Sequence, residues 1–134
     1  MATSAREVVE RLQETINAHD PAKGRDLFAP DARMVTAAGR VLNLAGMGQL
    51  LLDTAAAFPD FTVEVERWVI DADGETVVTE EVLEGTHAGD FGGLSPTGRR
   101  VRLPMCHVTR VVDGHIVERI TYHDTAGVLR QLTR

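Results

Sequence analysis

The sequence predicts an α+β fold: a cone-shaped, curved, mostly antiparallel sheet whose concave face is covered by N-terminal helices. Three observations carry that prediction. Helical periodicity is confined to the stretch before Pro59 and to a short C-terminal tail. Four long β-patterned runs then follow one another from Phe61 to His123. The connections between them are short turns and one glycine-rich loop, with no linker, internal repeat or low-complexity stretch. The chain of 134 residues therefore forms a single domain, 1–134.

The helices come first. Ser4-Ala5-Arg6-Glu7 has the spacing of a capping box, and Ala5, Val8, Val9, Leu12 and Ile16 recur at helical intervals. A first helix is predicted over Ala5–Ala18. Asp20 caps a second, short helix with Pro21 in its first turn and Leu27 and Phe28 as its apolar side, and Pro30 ends it. Asp31–Thr36 is a short strand, Ala37-Ala38-Gly39-Arg40 a turn, and Val41–Leu44 a returning strand. Gly46–Phe58 carries Met47, Leu50, Leu51 and Thr54 on one helical stripe; two early glycines weaken its first turn. Phe58-Pro59-Asp60 stops it, since a residue before proline avoids the helical region.

The strands follow. Phe61, Val63 and Val65 alternate with Thr62, Glu64 and Glu66, the pattern of a half-buried strand. Trp68 and Ile70 sit on the other parity, which predicts a bulge or a change of covered face. Asp71-Ala72-Asp73-Gly74 is a turn, Thr76–Thr86 a strand, and Gly85–Gly98 a long loop. Arg99–Val112 and His115–His123 form a hairpin about Asp113-Gly114, a dipeptide suited to the positive φ angles of a tight turn. Thr125–Leu132 is a terminal helix with Val128, Leu129 and Leu132 as its apolar side.

The hairpin concentrates the chemistry. Strand alternation puts Val101, Leu103, Met105, His107 and Thr109 on one face of its first run. It groups Ile116, Glu118, Ile120, Tyr122 and Asp124 on one face of the second, with Val117, Arg119, Thr121 and His123 opposite. If the two mostly apolar sets line one concavity, Asp124 and His107 become ionisable groups in an apolar pocket. Desolvation there would raise the Asp124 carboxyl above its ordinary value and make it a better proton acceptor. The competing reading is that Asp124 caps the helix beginning at Thr125. His107 would orient Asp124 or hydrogen-bond a ligand carbonyl, unless it is a satisfied core histidine. Trp68, Phe58, Met47, Leu51, Met105, Ile120 and Tyr122 supply pocket or core, and an apolar cavity with few polar groups suits a flat aromatic ligand. One of Glu80, Glu81 and Glu84 could face the cone, and alternation alone does not say which. Glu118 is expected to pair with Arg102 or Arg110.

Composition excludes several classes. A net charge of −6 with scattered basic residues disfavours phosphate-driven nucleic-acid binding. Cys106 is the single cysteine, so no intramolecular disulfide or cysteine metal cluster can form, and its β context favours a buried thiol. No long apolar run marks a signal peptide or membrane span, so a soluble, cytoplasmic protein is expected. The five histidines show no paired ligand spacing, and no metal is expected. His87 is expected to organise the glycine-rich loop, His123 to point away from Asp124 toward a subunit interface, and His19 to lie at the surface. The loop itself has no P-loop pattern and is expected to shape or cover the cone mouth.

Several motifs occur in a familiar order: Asn17-Ala18-His19-Asp20, Phe58-Pro59-Asp60-Phe61, Gly85-Thr86-His87-Ala88-Gly89-Asp90-Phe91, Pro96-Thr97-Gly98-Arg99, Asp113-Gly114-His115-Ile116, and Tyr122-His123-Asp124 before Leu129-Arg130-Gln131-Leu132. Together they span nearly the whole chain, which thereby resembles the SnoaL-like polyketide cyclase family of the nuclear transport factor 2-like superfamily. The resemblance implies a cone-shaped domain that forms a homodimer or homotetramer. It implies Asp124 as the acid/base of an ester cyclase, removing a carbon-bound proton so that the enolate closes a ring by intramolecular aldol attack. It further implies His107 as the second polar pocket group, a small hydrophobic aromatic polyketide as substrate, and no metal or organic cofactor. Fold alone does not fix the reaction. Hydroxylation, isomerisation and epoxide hydrolysis in the same pocket remain open, as does a non-catalytic ligand-binding module.

Overall fold

The computed structural model describes residues 4–133. Its elements are α1 (Ala5–Asn17), a 3₁₀ helix (Pro21–Leu27), β1 (Phe28–Val35), β2 (Val41–Leu42), α2 (Leu44–Ala57), β3 (Thr62–Ile70), β4 (Thr76–Thr86), β5 (Arg100–Val112), β6 (His115–His123) and α3 (Thr125–Thr133). The strands form one mixed, open sheet in the order β2-β1-β6-β5-β4-β3. β1 runs parallel to β6, and the other neighbours are antiparallel. The expected α+β architecture is thus the one observed.

Side-chain caps set the helix starts. Ser4 Oγ accepts the Glu7 N–H at 3.2 Å, and Asp20 Oδ1 accepts the Ala22 N–H at 3.1 Å. Asn43 Oδ1 accepts the Gly46 N–H at 2.9 Å, so α2 begins at Leu44 and its weak glycine turn lies inside the helix. The second helix is shorter than expected. It stops at Leu27, and Phe28 and Pro30 belong to β1. β1 meets β6 at Phe28↔Ile116 and again from Arg33↔Glu118. Pro30, which has no N–H to donate, falls in that break in the ladder.

The Asn17 and Phe58 motifs are latches between elements. Asn17 Nδ2 donates to the Val63 carbonyl at 2.9 Å, and its Oδ1 accepts the Val63 N–H at 2.7 Å, tying the end of α1 to the edge of the sheet. His19, expected at the surface, is half-buried; its ring stacks on Phe61 with centroids 4.0 Å apart. Asp60 accepts the Thr86 N–H at 2.7 Å and the Thr86 hydroxyl at 2.8 Å. His87 does organise the glycine-rich loop: its Nδ1 accepts the Thr97 N–H at 3.1 Å. The loop docks on the end of α2, where Ala57 O accepts the N–H groups of Ala88 and Gly89.

Two apolar cores hold the helices to the sheet. Under α1, Val8, Val9 and Leu12 pack with Val77, Val111 and Ile116. At the other end, Phe58, Phe61, Leu83, Leu103, Val128 and Leu132 pack together beneath α3. Fully burying a side chain of this size contributes about 1.5–3 kcal/mol.

Two bulges decide which residues face those cores. In β3 the register shifts between Val65 and Arg67, so Val63, Val65 and Trp68 share the covered face despite their sequence parity. That is the change of parity expected at Trp68. In β6 the register passes from Val111↔Ile116 to Arg110↔Glu118, leaving Val117 unopposed. Ile116 faces the core, and after the bulge the inward residues are Arg119, Thr121 and His123.

Candidate active site

Between the two cores the inner face of the sheet turns polar. Thr79 pairs with His107 and His107 with Thr121; Val77 pairs with Thr109 and Thr109 with Arg119. One step along lies Glu81, opposite Met105. Alternation builds this belt, because residues 77, 79, 81 and 83 of β4 share a face with the odd-numbered residues of β5. Glu81 and Arg119 are buried, with side-chain exposures of 0% and 4%.

The belt is wired through Glu81. His107 Nδ1 donates to Glu81 Oε2 at 2.7 Å, and the Thr79 hydroxyl donates to the same oxygen. The Arg119 guanidinium donates to Thr109 Oγ1 at 2.7 Å and stands 3.6 Å from Glu81 Oε2. Glu81 Oε1 and the Thr121 hydroxyl are buried with no hydrogen-bond partner among the described residues.

Burial alone would push the Glu81 carboxyl up. The hydrogen bond from His107, the charge of that ring once acid protonates it, the Arg119 charge and the Thr79 hydroxyl reverse that and hold it at about 2. Burial, reinforced by the Arg119 charge, pushes the His107 imidazole below its ordinary value, against the opposing pull of Glu81. The resting state is therefore a carboxylate, a guanidinium and a neutral imidazole. The carboxylate on Nδ1 selects the tautomer that carries its proton there and leaves a lone pair on Nε2.

His107 and Arg119 form the inner wall of a cavity of about 370 Å³. Leu12 and Ile16 of α1, Met47 and Leu51 of α2, and Phe28 and Met34 of β1 supply apolar walls. Arg25 of the 3₁₀ helix also lines it. The volume lies in the range of small-molecule sites, and the lining is apolar apart from a few placed polar groups. Such a site can hold a flat apolar body and present one basic nitrogen to it. Among the described residues, no group of three or more His, Cys, Asp or Glu side chains is disposed to hold a metal ion.

The expected site residues divide. His107, Met47 and Leu51 meet in the cavity wall. Phe58 is buried in the α3-side core, Met105 packs at that core's margin, and Trp68 packs at the edge of the α1-side core with Arg6 over its ring. None of these three lines the cavity. Ile120 and Tyr122 lie on the outer face; Tyr122 is 57% exposed. Asp124 is not in the pocket. Its side chain is 65% exposed, its Oδ1 accepts the Gly127 N–H at 3.0 Å, and its Oδ2 pairs with Arg130 at 2.9 Å. It caps α3. The bulge at Val117 is the reason: it turns the apolar set of β6 outward and the polar set inward. His123, on that inner set, is half-buried beside Met105. Glu118 pairs with Arg33 at 2.6 Å, not with Arg102 or Arg110, since β1 and not β5 supplies its outer-face cation.

Glu81 and Arg119 are the functional candidates that sequence reasoning left unassigned or placed outside. A signal existed for Glu81: it shares parity with Val77 and Leu83, both inward on any register that buries β4. A carboxylate on such a face requires a cation.

The model of the SnoaL-like polyketide cyclase family matches residues 6–132. Nogalonic acid methyl ester cyclase from Streptomyces nogalater is 40% identical over 68 residues, 51% of this chain and 51% of that protein. The chain spans about half the length of the curated relatives it matches, or less. Among solved structures, wild-type IdmH from Streptomyces antibioticus, provisionally described as a polyketide cyclase, superposes with a TM-score of 0.86 at 33% identity, covering 98% of this chain and 100% of that one. AclR from Streptomyces galilaeus, provisionally described as a hydroxylase, superposes with a TM-score of 0.84 at 25% identity, covering 96% and 83%.

Proposed function

This chain belongs to the SnoaL-like polyketide cyclase family, and we propose that it is a cofactor-free cyclase of aromatic polyketide esters with His107 as its proton acceptor. One observation carries the choice of base: a neutral imidazole stands in the wall of an apolar cavity while Asp124 stands in solvent. The substrate would be a planar polyketide whose reacting carbon lies between an ester and an aryl ketone, where a C–H bond is already acidic. His107 Nε2 takes that proton, breaking C–H and forming N–H. The enolate carbon adds to a ketone of the same molecule, forming C–C as the carbonyl π pair moves to oxygen. The imidazolium returns its proton to that oxygen, and the ring closes with no net change in atoms or electrons. The apolar wall keeps water from quenching the enolate.

The matched curated relative acts on nogalonic acid methyl ester, so that compound is the probe. Wild-type protein should cyclise it, and His107→Gln should lose about 10²–10⁴-fold of the rate, the range for removing a general base. Wild type no faster than buffer would favour a binding module. His107→Gln as fast as wild type would remove His107 from the chemistry.

The protein would act as a homodimer in the cytoplasm. Support for self-association comes from the outer sheet face, where Val35, Ile120, Val108, Val78 and Val69 are successive cross-strand neighbours, all half-buried or exposed.

A further inference from the structure

We propose that Glu81 and Arg119 are opposed positioning residues: Glu81 fixes the ring of His107 and readies it to receive a proton, while Arg119 keeps it unprotonated until substrate is bound. The inference rests on the reading of His107 as proton acceptor and assigns roles that nothing about the cavity alone requires.

Geometry carries it. Glu81 Oε2 sits 2.7 Å from His107 Nδ1, on the side of the ring away from Nε2. The carboxylate thus holds the tautomer whose lone pair is on Nε2, and it becomes the counter-ion when Nε2 gains a proton. A carboxylate beside a histidine favours the charged ring; burial opposes that charge, and Arg119 adds its own repulsion to the opposition. Its guanidinium reaches past β5 to stand 3.6 Å from the same carboxylate oxygen and is anchored by Thr109 at 2.7 Å. One carboxylate is thereby shared between a permanent cation and an imidazole that becomes cationic only during turnover. A buried ion pair is a poor means of stabilising a core, because apolar residues of similar volume do as well or better. Its presence in the cavity wall fits work on the imidazole. Other charged groups that could act on the ring are His123 on β6 and Arg25 on the 3₁₀ helix. The α1 and α2 residues lining the cavity carry no titratable side chain.

The two roles predict opposite responses. Glu81→Gln keeps an acceptor for Nδ1–H but removes the anion that favours the charged ring. The acidic limb of kcat/KM against pH should move to lower pH, and the plateau should fall at least about tenfold. Arg119→Met removes the cation that disfavours the charged ring. The limb should move to higher pH. Histidine ¹⁵N spectra report the ring without reference to activity: His107, assigned by difference from His107→Gln, should carry its proton on Nδ1 in the wild type and gain its second proton at higher pH in Arg119→Met than in the wild type. Should a single variant fail to fold, Glu81→Leu/Arg119→Met leaves neither charge unpaired. In it the Nδ1 proton should no longer be selected and kcat should fall with KM little changed. Limbs that stay put or move together, or a ring tautomer unchanged in the double variant, would overturn the proposal. If His107→Gln kills turnover while these readouts stay fixed, His107 remains the base and only the positioning roles fall. If His107→Gln retains turnover, the base assignment falls, and the spectra still decide what Glu81 and Arg119 do to the ring.

Discussion

Replacing Asp124 separates a helix cap from a catalytic carboxylate, because the two roles predict different rankings of Ala and Asn. Its Oδ1 accepts the Gly127 N–H at 3.0 Å, and α3 in turn buries Val128 and Leu132 in the core. Asp124→Ala removes a cap worth about 1 kcal/mol. It also removes an ion pair with Arg130 whose side chains are 65% and 60% exposed, so that pair adds at most a few tenths of a kcal/mol. The sum is about 1–1.5 kcal/mol, or a fall in Tm of roughly 3–6 °C for a chain of this size. Asparagine caps as well as aspartate, so Asp124→Asn should stay within about 0.5 kcal/mol of wild type. Both variants should turn over nogalonic acid methyl ester within about twofold of wild type once assayed well below their Tm. An acid/base carboxylate predicts the reverse: both variants slowed by about 10²-fold or more whatever their stability. The measurements are thermal and urea unfolding beside initial rates. Asp124→Asn with a wild-type Tm and a rate down a hundredfold would refute the capping assignment and return Asp124 to the mechanism.

Four further outcomes follow from the same contacts. Asn17→Ala loses two hydrogen bonds to Val63 and should cost about 2 kcal/mol, read from the urea midpoint. Gly89→Ala would put a Cβ 1.9 Å from the Ala56 carbonyl oxygen; that clash with backbone should cost at least about 2 kcal/mol and loosen the loop from α2, visible as lost amide protection at Ala88. Stability should fall with acid in two stages, because Glu81 and His107 both sit below their ordinary values and the unfolded chain therefore binds more protons. It is complete above the ordinary histidine range, falls first as His107 is titrated, and falls again between about 4.5 and about 2 as Glu81 is protonated; urea midpoints against pH should lose the first stage in His107→Gln and the second in Glu81→Leu/Arg119→Met. Val108→Lys, in the middle of the outer aliphatic row, should convert a dimer to monomer by sedimentation while leaving the monomer's Tm within about 1 °C; an unchanged sedimentation coefficient would place any self-association elsewhere.

Much of the fold was legible because local chemistry and tertiary structure agree there. Ser4, Asp20 and Asp113-Gly114 act where their residue types predict. The parity change at Trp68 announced its own bulge, since an apolar residue on the wrong parity must be explained. β1 was less legible: Pro30 reads as a helix stop, and only the parallel partner β6, distant in sequence, shows that it lies in a ladder break. The site was half legible. His107 lies on a run whose inward face is apolar around it, so its direction could be inferred from its neighbours. β6 gave no such cue. Its bulged Val117 looks like an ordinary strand residue, and both of its faces carry β-branched side chains.

That ambiguity has a physical cause. Alternation identifies a buried face only when the other face is wet. Here the outer face carries the aliphatic row through Ile120 and Val108, while the inner face carries charge. Hydrophobicity therefore points the wrong way on the strand that carries Arg119 to the cavity wall. The contradiction resolves only in pairs: Arg119 belongs inside because Glu81 does, and Glu81 does because Val77 and Leu83 bracket it on β4. A buried charge is unintelligible residue by residue and becomes intelligible once its counter-charge is found. In this chain that pairing also leaves one imidazole nitrogen without a proton, facing an apolar cavity.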